Sequence, residues 1–149
     1  MKKRIIYYAL IIISIFTISG CNINDKKYNE TNNSNEVIRT VKVTINDKEY
    51  TINLENNETA REFLNHLPLE LNMSELNGNE KYVYIDFTLP TNATKPKQIS
   101  AGDIMLYGNN CLVIFYETFN TQYSYTKIGH IDNLSNLGNS NISVKFINN

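Results

Sequence analysis

Val41, Val43 and Ile45 alternate with Lys42, Thr44 and Asn46, and a second alternation of Tyr50, Ile52 and Leu54 follows the break at Asn46-Asp47-Lys48. Successive side chains of a strand point to opposite faces, so this pattern predicts a β-hairpin with one buried face. The period then changes. In "NNETAREFLNHLP", Ala60, Phe63, Leu64 and Leu67 fall at i, i+3, i+4 and i+7, one stripe of a helix. Asn57 is the expected N-cap, Glu58 and Glu62 suit the positive end of the helix dipole, and Pro68 ends the helix. Leu69, Leu71 and Met73 return to period two, and "KYVYIDF" (81–87) predicts another strand. Residues 89–102, "LPTNATKPKQISAG", read as a long loop, a length often tied to function.

The segments "DIMLY" (103–107) and "CLVIFY" (111–116) differ from the first hairpin. They are apolar on both faces and are joined by the turn residues Gly108-Asn109-Asn110. Such strands are covered on both sides. One face is expected in the core and the other under the helix or a loop. Residues 123–131 and 142–146 supply further strands, the last alternating Ile142, Val144 and Phe146. The expectation is a mainly β fold: about eight short strands and one main α-helix, as a small closed or nearly closed β-barrel.

The N-terminus has a different character. Lys2, Lys3 and Arg4 precede an apolar run over residues 5–17 that is shorter than the roughly 20 residues a membrane-spanning helix needs. This reads as a signal peptide over residues 1–20. Ile18-Ser19-Gly20-Cys21 resembles the lipobox of bacterial lipoproteins, in which the cysteine thiol takes a diacylglycerol group. An uncleaved anchor and ordinary secretion are the alternatives. Lipidation of Cys21 places the protein outside the cytoplasm, held on the membrane by its acyl chains. Residues 21–36 continue as a polar, Asn-rich segment with too little apolar surface to offset the entropy of ordering, so a disordered tether is expected. The domain proper is then residues 37–149.

Charge and cysteine usage narrow the chemistry. The formal net charge is −1, without the basic footprint of a nucleic-acid binder. The chain has two cysteines, so lipidation of Cys21 leaves Cys111 unpaired, at the start of an apolar run where a thiol acts as a small hydrophobe. His66 and His130 belong to no metal-ligand spacing, and there is no nucleophile elbow or phosphate loop, so neither a metal nor a cofactor is expected. Glu80 and Glu117 are carboxylates whose approach would suit sugar chemistry, with solvated loop ends as the default. Tyr107, Tyr116, Phe119, Tyr123 and Tyr125 crowd a short stretch, and tyrosine offers an apolar face with a polar tip. The candidate ligand site gathers these rings with Glu80, Tyr82 and the 89–102 loop.

"NETAREFLNHLPLELNMSELNGNEKY" (57–82), "LPT" (89–91) and "AGDIMLYGNNCLVIFYETFNTQYSYTKIGHID" (101–132) together resemble the bacterial cyclophilin-like family. The resemblance implies a small barrel of cyclophilin topology over residues 37–149. True cyclophilins isomerise prolyl bonds with an arginine at the twisted amide, where a cationic donor lowers a barrier of roughly 20 kcal/mol. The arginines of this chain are Arg4, Arg39 and Arg61, and none stands in a Phe-His-Arg segment. No catalytic residue carries over. The expectation is a module that binds a peptide, a protein or a small ligand. The alternatives are an isomerase with a non-standard site, using Lys127 or Arg39 in the arginine's role, and a structural envelope component.

Overall fold

The computed structural model describes residues 40–134 and 136–149; the signal peptide, Cys21, the tether and Arg39 lie outside them. Strands β1 (Thr40–Ile45) and β2 (Lys48–Leu54) form the first hairpin, with Ile45 opposite Lys48. Its loop is two residues long, and Asn46 (φ 45°) and Asp47 (φ 67°) both take left-handed backbone. Two such residues give a turn whose twist matches the strands, and Asn and Asp tolerate it better than other side chains with a Cβ.

Helix α1 (Glu58–Asn65) starts at Asn57, whose Oδ1 accepts from the Ala60 N–H at 2.8 Å. The same amide donates from Nδ2 to the Lys127 carbonyl at 2.8 Å, so the cap also fastens the helix to β9 (Thr126–Ile131). Ala60 and Phe63 are fully buried, and Phe63 meets Phe146 edge to face at 5.3 Å between centroids. Leu64 and Leu67 are only partly buried. His66, beside the stripe, stacks on Phe87 at 3.6 Å and contacts Glu62 at 3.3 Å.

The remaining barrel strands are β3 (Leu69–Leu76), β4 (Glu80–Tyr84), β6 (Asp103–Tyr107), β7 (Cys111–Phe115) and β10 (Ile142–Asn148). They close in the order β1-β10-β3-β4-β7-β6-β9-β2, every neighbour antiparallel. Closure removes the exposed edges that an open sheet would present. The predicted 81–87 strand is shorter in fact. β4 ends at Tyr84, and the Ile85 and Leu89 N–H groups donate instead to the carbonyls of Asn110 and Asn109. The 89–102 segment is also more ordered than a plain loop, because β5 (Gln98–Ile99) pairs with β8 (Phe119–Asn120), and Thr94 bridges Tyr125.

Every residue of β7 is buried, and the sheet it belongs to has two apolar sides. Ile104, Leu106, Leu112 and Ile114 join the barrel core with Val41, Val43, Ile52, Val144 and Phe146. Met105, Cys111, Val113 and Phe115 form a second cluster with Ile99 and Tyr125, outside the barrel. The cover on that side is the β5–β8 ribbon and its flanking segments. Gly102 makes the entry to β6 possible: at φ +98° an added Cβ would lie 2.1 Å from the Ile131 carbonyl oxygen. That oxygen's own residue donates its N–H to the Gly102 carbonyl at 2.8 Å, so backbone there approaches backbone.

Two buried charges interrupt these apolar surfaces. Lys81 is fully buried on β4, and its ammonium contacts the Glu75 carboxylate, the Gly138 carbonyl at 2.5 Å and the Ser140 carbonyl at 2.8 Å. All three ammonium donors are thereby used. The Tyr116 hydroxyl and the Gly78 N–H also donate to Glu75, at 2.8 and 2.6 Å. Burial resists ionisation of Glu75, but these donors together outweigh it and hold its carboxyl below the ordinary value. Asp103 follows the same logic: burial opposes its charge, and the Ser100 N–H, His130 and Lys127 more than compensate. His130 Nδ1 and Lys127 Nζ lie 2.9 and 3.0 Å from its Oδ1.

Three outcomes are expected. Phe63→Ala should cost about 3–5 kcal/mol in urea unfolding, since it opens a cavity in a packed core. Lys81→Met should cost a similar amount, about 3–5 kcal/mol, because it leaves Glu75 and two carbonyls without their donor. Glu75 and Asp103 titrate lower folded than unfolded. Their contribution is therefore complete above the ordinary carboxylate range near pH 4 and is lost as pH falls through the lowered folded values. Urea midpoints should drop from about pH 5 to about pH 3, and Glu75→Gln, weaker at neutral pH, should drop less over that window.

Candidate functional site

Strands β4, β7 and β6 lie side by side, and directly opposed residues share a face. The pairing Tyr82–Val113–Met105 makes one row across the outer face, and Tyr84–Cys111–Tyr107 makes the next. Glu80 stands opposite Phe115 one row further along. The period-two pleat sends Lys81 inward and Glu80, Tyr82 and Tyr84 outward. Above this floor the chain from β8 to Tyr125 folds back. The result is a cleft of about 680 Å³ on the outside of the barrel.

Of the residues proposed from sequence, Glu80, Tyr82, Tyr107, Phe119, Tyr123 and Tyr125 line the cleft together. Tyr116 does not. It is 3% exposed, its ring lies 4.8 Å from the Lys81 ammonium, and its hydroxyl is spent on Glu75. The strand pleat explains the difference, since Tyr116 follows Phe115 and takes the opposite side. Burial and then Glu75 push its phenol up to about 12. Glu117 is exposed, accepts from Asn136 Nδ2 at 2.8 Å and is absent from the lining, so the two carboxylates are not brought together there. The 89–102 segment, expected at the site, contributes no lining residue; its Ile99 is fully buried in the second cluster with Phe115 and Phe119.

The rings form two groups flanking β7. Tyr82 and Tyr84 meet at 6.1 Å on one flank. On the other, Tyr107 lies 5.6 Å from Tyr125 and 6.2 Å from Tyr123, and Phe115 joins Tyr125 at 5.5 Å and Phe119 at 5.6 Å. Tyr84 and Tyr123 are 66% and 64% exposed, although the sheet beneath them is buried. Burial, followed by the charge of Glu80, pushes the Tyr125 phenol up to about 12, so it keeps its proton and remains a donor. The lining also includes Asn77, Asn79, Asn120, Thr121 and Gln122, but no Lys, Arg or His among the described residues.

Tyr84 was accessible to the same period-two reading that placed Tyr82. Asn79 and Thr121 carried no sequence signal, because turn and rim polar residues are common everywhere. Cys111 lies in the floor, 5% exposed, and burial followed by Glu80 raises its thiol above the ordinary value. It therefore stays largely protonated, unlike a nucleophilic cysteine. Glu80 itself is half-buried. Burial and then the charge of Glu75 raise its carboxyl above the ordinary range, and among the described residues its carboxylate makes no hydrogen bond or ion pair. Lys127, the alternative cation, is outside the lining and is held by Asp103 and, at 3.8 Å, by Glu55. Among the described residues no group of three or more His, Cys, Asp or Glu side chains is placed to hold a metal ion.

Known proteins agree with this architecture. The solution structure of a hypothetical protein from Archaeoglobus fulgidus superposes with a TM-score of 0.58 over 76% of this chain and 96% of its own, at 17% identity, a likeness of fold alone. No curated protein matches the chain. The pattern that defines the cyclophilin-like family matches residues 43–147, from the first barrel strand to the last. With that match running from within the first barrel strand to within the last, the chain belongs to the cyclophilin-like family.

Proposed function

We propose that this protein is a lipid-anchored, extracytoplasmic cyclophilin-like module that binds a peptide, protein or small ligand in the cleft over β4, β7 and β6. The observation that carries the reading is the set of exposed tyrosines around a buried apolar floor. Single exposed rings are ordinary, whereas a contiguous exposed aromatic patch marks an interaction surface. A volume of about 680 Å³ falls within the range of ligand sites. Rigid aromatic walls with a polar rim suit a peptide segment, whose apolar side chains or proline rings rest on ring faces while amides meet Asn120, Thr121 and Gln122.

The isomerase reading needs a cation at the imide nitrogen. The cleft lining offers neutral donors and one carboxylate, which supports binding without catalysis. The lipid anchor rests on the residues that precede Cys21 and on the polar segment that follows it.

Two outcomes are expected. Titrating the full chain in detergent micelles with proline-containing peptides should give saturable NMR shifts at Tyr107, Phe119 and Tyr125, and Tyr107→Ala should weaken binding about tenfold or more. Peptide cis/trans exchange should be unchanged. Accelerated exchange would make the protein an isomerase instead, and a set of peptides that moves no cleft resonance would count against the binding site. In cells fed a labelled fatty acid, the wild-type protein should take up label and sediment with membranes. Cys21→Ser should lose both, whereas label retained on the serine variant would remove the lipobox reading.

A further inference from the structure

One acceptor in this cleft stands apart from its neighbours. The Glu80 carboxylate is half-buried among aromatic side chains and has no hydrogen-bonding or ionic partner among the described residues. A partly desolvated charge gains from a partner of opposite sign, and the open side of Glu80 is the cleft. The neighbouring carboxylate, Glu75, differs, because Lys81, Tyr116 and Gly78 already donate to it.

The surrounding side chains set the sign of that donor. Among the described residues the lining contains one acidic group, Glu80, and no basic one. Tyr82, Tyr107, Tyr123 and Tyr125 add ring faces, whose negative quadrupole attracts a cation. A carboxylate and aromatic faces both hold a protonated amine or guanidinium, and a half-desolvated setting strengthens each. Resting on the binding-module reading above, we infer that the cleft selects a peptide by a basic side chain, lysine or arginine, received by Glu80 and the tyrosine rings. An anionic ligand would meet the repulsion of Glu80 without a compensating cation.

The test compares the peptide Ac-Ala-Pro-Lys-Pro-Ala-amide with its arginine and norleucine counterparts, titrated by calorimetry and NMR into the full chain in detergent micelles. The lysine or the arginine peptide should bind at least about tenfold tighter than the norleucine peptide, with shifts at Glu80 and Tyr125. Glu80→Gln, which keeps the shape and removes the charge, should erase that preference. Tyr123→Leu, at an exposed ring of the lining, provides a second variant and should reduce the preference in part. Equal affinity for charged and neutral peptides, with shifts still at Tyr107 and Tyr125, would overturn the cation preference and leave the binding site standing. No cleft shift with any of the three would overturn both. A preference that survives in a folded Glu80→Gln variant would also overturn the role given to Glu80.

Discussion

Two-sided burial of β7 is the constraint on which the rest of this structure depends. A strand whose every side chain avoids water needs a packed layer on each face, and a closed barrel supplies only the inner one. The outer layer has to be built from chain that is not in the barrel. Residues 89–102 and 116–125 meet that need, with the β5–β8 ribbon and the Thr94–Tyr125 bridge satisfying their backbone groups. The layer packs on Phe115 through Ile99 and Phe119 and leaves Val113 and Cys111 in the cleft floor. The uncovered strip between the tyrosine groups is the cleft.

Adjacent residues on β4 show how strictly the pleat sorts chemistry. Lys81 points into the barrel and reaches three acceptors, so its burial is fully offset by partners from β3 and the 138–140 segment. Glu80, one residue away, points out and reaches none. The first arrangement is self-contained and serves the fold. The second faces the cleft and serves no contact within the fold among the described residues. Two charges of opposite sign, neighbours in sequence, thus have unrelated roles because period two separates them by the thickness of the sheet.

The family resemblance to cyclophilins concerns the barrel, and sites are grafted on folds independently of them. Here the cleft outside the barrel is lined by aromatic rings and a carboxylate. Lys127, the cation nearest to an isomerase role, is engaged with Asp103, which itself joins β6 to β9 through His130. That network explains a lysine in the strand without appeal to catalysis.

Much of the fold was legible in local pattern. The alternation at Val41, Val43 and Ile45, the stripe at Ala60 and Phe63, the Asn57 cap and the two-faced apolar run at 111–115 each follow from periodicities imposed by backbone geometry, which sequence carries directly. The same pleat placed Tyr82 and Tyr107, and most of the tyrosine cluster, on one site. Tyr116, the end of β4 and the partners of Lys81 were beyond reach. Which side a residue takes as its strand ends, and which carbonyls a lysine meets 57 and 59 positions away, depend on barrel closure and on loops returning across it. Local sequence determined the elements and their faces; only the tertiary structure decided which polar groups found partners and which were left open in the cleft, because those partners are distant in the chain and brought close by closure alone.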